Sequence, residues 1–324
     1  MRQWNTTDGI SVLDRAIQAL REGKLLEPKT FGQSDPLNLQ GMSFPTVGLC
    51  KELDLPTVVV NRVVGKQEFS EAILRQIDFS SAQLDFSVWN DCHFEKVSFD
   101  NASLQQVRFF GCRFDSCSFR STDLRDASFS VARTGRESEI THTNFENADF
   151  RGASCHNPVL RSTSFVNCKL DGFVFDGATC EAVSFTGRYH ELSFRGMPGE
   201  TARNRLQVDL SRAKIVWLNA DFGVDLSETI LPADGSCIVI ADRLRAVDIL
   251  CKRLPFEAGE DGVRVAQSLK ALFSDTGMSP LEMSQKTLLI SLEMIADFAG
   301  KDSNAATMLF ATIHSIAESE GVLA

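Results

Sequence analysis

Large apolar residues recur at every fifth position along much of this chain. They form one unbroken block of 13 positions over 69–129 and a second block of 9 positions over 145–185. In the stretch 94–124 the large residues are Phe94, Phe99, Leu104, Phe109, Phe114, Phe119 and Leu124. The residue two places before each large one is mostly small, and no residue at either position is charged.

This spacing predicts short strands separated by corners. Residues two apart point to the same side of an extended strand, so the small and the large residue of each unit face inward together. The two residues that follow are rich in Asp, Asn, Ser, Gly and Arg, which turns prefer. A helix does not fit, because steps of five residues would scatter the large side chains around its axis. We therefore expect a solenoid whose stacked coils place large and small residues in ladders.

The repeating units resemble the pentapeptide-repeat family, whose pattern is A(D/N)LXX. Examples in this chain are AILRQ, AQLDF, ASLQQ, TDLRD, ADFRG and VSFDN. The resemblance covers about 69–231, and it implies a right-handed quadrilateral β-helix with four units per coil. The expected fold class is thus mainly β: this solenoid with an N-terminal cap and a C-terminal α-helical domain.

Three segments interrupt the five-residue spacing inside the predicted β-helix, which spans 68–232. We predict loop insertions at 130–141, 186–193 and 195–207. Insertions in a solenoid are either tolerated surface loops or the features that recognise a partner.

The segments that flank the solenoid follow other patterns. Residues 1–67 predict an N-terminal cap, with a helix over ISVLDRAIQAL and an irregular first coil at Leu39, Phe44 and Leu49. Residues 233–324 predict a helical domain that covers the C-terminal end of the solenoid, because an open end would expose strand edges. Its predicted helices span 242–254, 262–273, 279–300 and 303–319, and a capping box at Ser279 and Glu282 begins the third of them.

The third predicted helix carries apolar residues on more than one face. Two interpretations remain open: it is the central helix of its own bundle, or it forms a homodimer through the C-terminal domain.

Charge and composition narrow the classes of partner. The net charge is −10 and the isoelectric point is near 5.1, which argues against direct binding to nucleic acid or to an anionic membrane. The N-terminus lacks a signal-peptide pattern, and no apolar run has the length of a membrane helix. Nine cysteines without an export signal indicate free thiols. We expect an acidic cytoplasmic protein.

No catalytic or metal-binding motif is present, so we expect no enzyme activity, no cofactor and no metal site. Six of the cysteines lie at inward positions of the repeat, where they act as small buried apolar residues: Cys92, Cys112, Cys117, Cys155, Cys168 and Cys180. His93 lies at an outward position, where we expect it to be solvated.

The candidate partner-binding residues are a mostly basic set in the predicted loops, together with aromatic residues that point outward. The aromatic residues at outward positions are Phe86, Phe110 and Trp217, and they either form a partner surface or lie under the terminal domains. The set consists of Arg133, Arg136, Arg188, Tyr189, Arg203, Arg205, Phe86 and Phe110. These features favour a non-catalytic interaction protein, such as a scaffold, an adaptor or an immunity-type binding protein. The alternative is a DNA mimic that binds and protects DNA gyrase, as the resemblance to the quinolone-resistance members of the family implies. A continuous negative stripe along the solenoid would favour the mimic, and a surface of mixed charge would favour protein recognition.

Overall fold

The computed structural model describes residues 7–26, 37–40, 67–197, 205–273, 287–300 and 303–323. The chain divides into two compact units, Met1–Phe173 (unit 1) and Val174–Ala324 (unit 2). The predicted domain limits at 67 and 232 remain a prediction.

Unit 1 contains one described helix and fifteen short strands. The helix α1 spans Thr7–Arg21. The strands are β1 Leu25–Leu26, β2 Leu37–Asn38, β3 Glu68–Ser70, β4 Ile73–Arg75, β5 Ile77–Asp78, β6 Val88–Asn90, β7 His93–Glu95, β8 Arg108–Phe110, β9 Arg113–Asp115, β10 Ser128–Ser130, β11 Glu139–Thr141, β12 Asn144–Glu146, β13 Ser154–His156, β14 Val159–Arg161 and β15 Ser164–Val166.

These strands pair in parallel with the strand one coil further along the chain. Phe69 pairs with Trp89, and Phe94 pairs with Phe114, so each regular coil takes 20 residues, or four units of five. Outward residues that are 20 positions apart in the sequence therefore lie one above the other in a single ladder. The predicted β-helix is therefore confirmed, and a residue's position in the repeat fixes both its face and its neighbours.

The corners have a uniform backbone conformation. From Glu71 to Asp126, the second residue after each large one has φ between 53° and 62°. This left-handed turn redirects the chain before the next inward pair, and Asn, Asp and Gly tolerate it best. Phe86 occupies one such corner with φ 62°, an unusual conformation for a bulky side chain.

The core of unit 1 is a stack of aromatic rings. Phe94 and Phe114 lie 4.8 Å apart and are tilted by 4°, and Phe119 and Phe145 also lie 4.8 Å apart. These rings are fully buried or nearly so. Offset stacking at this distance suits a ring without a hydroxyl group, which explains the abundance of Phe.

Part of the predicted first coil lies within the described residues. β1 pairs with β4 and β2 pairs with β5, which places buried Leu39 above the first regular coil. Phe44 and Leu49 lie outside the described residues. Buried residues of α1, among them Ala16 and Leu20, contribute to the core of the same unit.

The insertion predicted at 130–141 is shorter than expected. β10 ends at Ser130 and β11 begins at Glu139, where Ile140 pairs with Phe114 on one side and Leu160 on the other. Ile140 is thus a large inward residue, and Ser138 is its small companion, buried two positions earlier. Phe129 and Ile140 are 11 residues apart, so the insertion adds six residues to one five-residue step and the register resumes at once.

Unit 2 begins with three strands, β16 Val174–Asp176, β17 Thr179–Arg195 and β18 Leu206–Asp221. The loop predicted at 186–193 is wrong, because this segment is the middle of β17 and pairs in parallel with β18. The loop predicted at 195–207 is wrong at its ends, since residue 195 belongs to β17 and 206–207 belong to β18. Residues 198–204 lie outside the described part.

The rest of unit 2 consists of two further strands and four described helices. The strands are β19 Cys237–Ile240 and β20 Leu288–Ser291, and the helices are α2 Arg243–Glu257, α3 Gly259–Phe273, α4 Leu292–Phe298 and α5 Ser303–Ser319. The prediction of one helix over 279–300 is wrong at 288–291, which form an antiparallel strand against β19. Ser279 and Glu282 lie outside the described residues.

β20 joins the helical region to β18 within unit 2. The hydroxyl of Ser291 donates a hydrogen bond of 2.9 Å to the carbonyl of Val216, and it accepts one from the amide of Met294 at the start of α4. All four residues of β20 are buried, so apolar residues on both its faces are covered inside the unit. The apolar residues of this strand are therefore covered within unit 2, and a homodimer through the C-terminal domain stays a prediction.

Candidate functional site

The insertion lengthens one step of the repeat by six residues. It forms a loop over residues 131–138, which lies against the coils of unit 1. Ala132 is buried, and its amide donates to the carbonyl of Arg136 at 2.7 Å, which closes the loop. The hydroxyl of Ser138 donates to the carbonyl of Ser130 at 2.9 Å, which ties the two ends of the loop together. The loop is therefore held by its own backbone.

Gly111 provides the surface on which the loop rests. Its φ is 60°, and a Cβ atom at this position would lie 2.6 Å from the Cβ of Ala132 and 3.1 Å from the carbonyl oxygen of Arg136. Real Cβ atoms do not approach that closely, so glycine is required both by conformation and by space.

Asp91, one coil before Gly111, fixes the side chains of the loop. Its Oδ1 lies 3.3 Å from Nη1 of Arg136 and accepts a hydrogen bond of 3.3 Å from Oγ1 of Thr134. The Asp91 side chain is largely buried while that of Arg136 is mostly exposed. The carboxylate therefore anchors the loop at one edge of a groove.

The groove has a volume of about 560 Å³. Two outward ladders form its floor, one along the corner and one along the next face, and the second half of the loop forms its wall. The lining residues are Glu71, Ile73, Asp91, Cys92, His93, Gly111, Arg113, Arg136, Glu137 and Glu139. Its size falls in the range of sites that hold a small molecule or a few side chains of a partner.

The groove has an excess of negative charge. Both of its arginines are paired, Arg136 with Asp91 and Arg113 with Glu139 at 3.0 Å. The carboxylate of Glu71 is exposed and accepts no hydrogen bond from any described residue. Four carboxylates against two guanidinium groups leave a net charge of −2 when His93 is neutral.

His93 is half-buried in this groove, so the prediction that it is solvated is wrong. Burial lowers its pKa, and the nearby Arg113 guanidinium lowers it further. The imidazole is therefore neutral at physiological pH, and an uncharged ring lies beside the carboxylates of the groove.

The described basic candidate residues are divided between the two units. Arg133 and Arg136 share the loop in unit 1, and both are exposed. In unit 2, Arg188 lies 3.3 Å from Glu293 and Arg205 lies 3.2 Å from Glu228. Arg203 lies outside the described residues.

Tyr189 is not an exposed loop residue. It is buried in β17 opposite Ile215, and its hydroxyl donates to the carbonyl of Thr186 at 3.0 Å. A buried tyrosine needs such a partner, and the backbone of its own strand supplies one. The side chain is part of the core.

The aromatic candidates Phe86 and Phe110 are half-buried on unit 1. Neither lines the groove. Trp217 is covered within unit 2, where its ring lies 5.3 Å from that of Phe298.

Sequence reasoning missed Glu71, Ile73, Asp91 and His93. A signal for them was present, because Glu71 and Asp91 precede Gly111 by 40 and 20 residues, and the insertion follows one coil later. Residues 20 apart share a ladder, so the insertion marks the corner where the groove forms.

The outward faces of unit 1 carry paired charges of both signs. Arg75 pairs with Glu95 on the next coil at 2.9 Å, and Arg120 pairs with Glu146 at 3.1 Å. On another face, Asp123 forms an ion pair with Arg125, and Asp149 forms one with Arg151, in each case within the same coil. These pairs interrupt any continuous negative stripe across the described coils.

The thiols are structural, as predicted. The six cysteines of the repeat are buried and form no disulfide with one another. Burial raises the pKa of Cys117 and of Cys168 to about 12, so both stay protonated. Within the described ranges, no group of three or more His, Cys, Asp or Glu side chains is arranged to hold a metal ion. None of the described helices is long and apolar enough to cross a membrane.

Two solved structures of known proteins resemble part of this chain at low TM-scores. HetL, a pentapeptide repeat protein involved in heterocyst differentiation regulation from the cyanobacterium Nostoc sp. strain PCC 7120, is 19% identical with a TM-score of 0.33, over 51% of this chain and 68% of HetL. QnrB1, a plasmid-mediated fluoroquinolone resistance protein, is 22% identical with a TM-score of 0.25, over 61% of this chain and 92% of QnrB1. At these values the similarities carry no argument about the fold or the function of this chain. No curated protein matches the chain by sequence.

The family model for pentapeptide repeats matches residues 77–115, 92–130 and 138–177. These matches coincide with the coils of unit 1 and with the strand that follows them in sequence. Between residues 77 and 177 the chain therefore carries pentapeptide repeats.

Proposed function

We propose that this chain is a non-catalytic protein-binding module that recognises a partner protein at the groove beside the loop 131–138. The observation that carries the proposal is the seating of this loop. A six-residue insertion that served no purpose could project into solvent, whereas this one is fixed on Gly111 and Asp91 and forms one wall of a groove.

A fixed loop favours binding for an energetic reason. Ordering a loop on association costs conformational entropy that reduces the affinity, and a loop that is already ordered avoids this cost. Loops on a rigid scaffold commonly carry recognition, and the coils of unit 1 provide such a scaffold.

The surface charge supports this proposal over DNA mimicry. A mimic of DNA needs a continuous row of negative charge, like the phosphates that it replaces. The described faces of unit 1 instead pair carboxylates with guanidinium groups, both between coils and within a coil. A partner that binds this surface would contact both positive and negative groups, as is common between two proteins.

Site-specific photo-cross-linking tests the proposal. A photoreactive phenylalanine analogue replaces Glu137 on the groove wall, and in a control protein it replaces Arg120, which is exposed on another face. A second control removes the loop by deleting residues 131–136 and changing Glu137→Asn, which restores the five-residue step from Phe129 to Ile140.

We expect the probe at position 137 to form a covalent adduct with one protein in a lysate of the native cells. Purified unlabelled protein should suppress the adduct, and the loop-deleted protein should fail to compete. Absence of an adduct at 137, or equal adducts at 137 and 120, would refute binding at the groove.

A further inference from the structure

We propose that the Glu71 end of the groove binds a lysine or arginine side chain of the partner. The inference rests on the proposed function, because it assigns the chemistry of the partner at that same groove. It follows from three features of the described residues: the arrangement of carboxylates, the adjacent apolar surface and the pairing of the existing cations.

The carboxylates of Glu71 and Asp91 are neighbours in one corner ladder. The two residues occupy equivalent positions on successive coils, and the amide of Glu71 donates to the carbonyl of Asn90 at 2.9 Å. Parallel coils are about 4.8 Å apart, so one ammonium or guanidinium group can reach both carboxylates. Asp91 already holds the loop through Oδ1, and Glu71 has no partner among the described residues.

An apolar strip runs beside these carboxylates. Ile73 pairs with His93 in the next ladder, and both side chains line the groove and are half-buried. Lysine and arginine pack a hydrocarbon stem against such a surface while the charged head reaches a carboxylate. The lowered pKa of His93 keeps its ring neutral, so the ring does not repel a cation.

The cations of the groove do not compete for Glu71. Arg113 is bound to Glu139 and Arg136 is bound to Asp91. An anionic ligand would compete with Asp91 or Glu139 for these guanidinium groups and would be repelled by the Glu71 carboxylate, which has no partner among the described residues. A cationic ligand gains the Glu71 contact and breaks neither pair, so the charges favour a cation.

A titration monitored by NMR tests the inference without knowledge of the partner. The full chain is labelled at the δ1 methyl groups of isoleucine, and the probe is the capped peptide acetyl-Gly-Lys-Gly-amide. The control probe is the same peptide with an acetylated lysine, which keeps the stem and removes the charge. The variants are Glu71→Gln and, as a matched control, Asp171→Asn, an exposed carboxylate that does not line the groove.

We expect the lysine peptide to shift the Ile73 signal with saturation and the acetylated peptide to leave it in place. Glu71→Gln should weaken binding about fivefold, the loss of one partly exposed charge pair, and Asp171→Asn should leave binding unchanged. No shift, an equal shift with the acetylated peptide, or an unchanged affinity in Glu71→Gln would overturn the inference.

The two experiments fail separately. A cross-link at position 137 without a lysine-dependent shift of Ile73 would leave the protein-binding function standing and remove the basic side chain from it. A lysine-dependent shift without a cross-link would leave a site for cationic groups and remove the partner protein.

Discussion

The fit between Gly111 and the loop 131–138 can be tested by adding a single methyl group. Gly111→Ala introduces a Cβ atom 2.6 Å from Ala132 in a corner where φ is 60°. Gly172→Ala is a matched control in the same unit, because φ is 74° there and nothing lies within 4 Å of the added atom. Both substitutions place alanine in the left-handed region, and they differ in the contact with the loop.

The expected magnitudes follow from this difference. The left-handed backbone costs alanine about 1 kcal/mol at either position. At Gly111 the loop must also shift or detach, which loses the burial of the Ala132 methyl group, about 0.8 kcal/mol, and part of an exposed ion pair worth below about 1 kcal/mol. Gly111→Ala should therefore destabilise the protein by about 2–3 kcal/mol and Gly172→Ala by about 1 kcal/mol.

The assay is urea-induced unfolding followed by tryptophan fluorescence, since Trp89 lies in the core of unit 1. The same two substitutions are then made in the loop-deleted protein, which lacks residues 131–136. There most of the excess cost at Gly111 should disappear, because the methyl group no longer meets Ala132 and approaches only Oδ1 of Asp91, which the loop no longer holds in place. Equal losses for the two glycines in the full chain, or an excess that persists without the loop, would refute the assignment of Gly111 as the seat of the loop.

Three further results are expected from the core, the charges and the thiols. Phe114→Asp should prevent folding, because it places an unpaired carboxylate in the aromatic stack, whereas Phe114→Leu should melt as a folded protein; a normal melting curve for the aspartate variant would contradict the stacking. The hydrogen bond from Arg151 lowers the pKa of Asp149 to about 2 in the folded protein, from its ordinary value of 3.8. The ionised carboxylate therefore stabilises the protein above the pKa of the unfolded state, and this stabilisation is lost as the pH falls through the pKa of the folded state. Asp149→Asn should thus be destabilising at pH 7, with a difference from the wild type that shrinks between about pH 4 and 2 in acid-unfolding curves; a constant difference would exclude this linkage. Cys117 and Cys168 should react with a thiol reagent at pH 8 only after unfolding, as mass spectrometry of the labelled peptides would report, and rapid labelling of the native protein would show that they are accessible.

The coils were predictable because the inward positions of the repeat exclude charge. The cost of burying an unpaired charge is high, so a solenoid core leaves a pattern that survives in a single sequence. The limits of the first insertion were harder to see. Ile140 lies five residues before Phe145 with a small Ser138 before it, but the six inserted residues displace this unit from the frame of Phe129.

Two errors came from contacts between segments far apart in the chain. Tyr189 stands among polar residues and resembles a loop, yet β17 continues through it because β18 supplies hydrogen bonds along its length. The segment Leu288–Ser291 is short and apolar, a pattern that fits a buried helix and a buried strand equally. The segment forms a strand because it pairs with β19. The spacing of apolar residues within the segment gives no sign of that pairing.

The groove depends on a mismatch between regular coils and one irregular step. Within regular coils the corner residues share one backbone conformation and repeat every 20 residues. At Gly111 the ladder lacks a side chain, so the inserted loop descends into that space and engages the carboxylate one coil away, at Asp91. Glu71, two coils from Gly111, has an equivalent corner position and no loop residue bonded to it. The same geometry that fixes the loop therefore leaves the Glu71 carboxylate, at the far end of the groove, without a partner among the described residues, and a cationic group from outside would gain the most there.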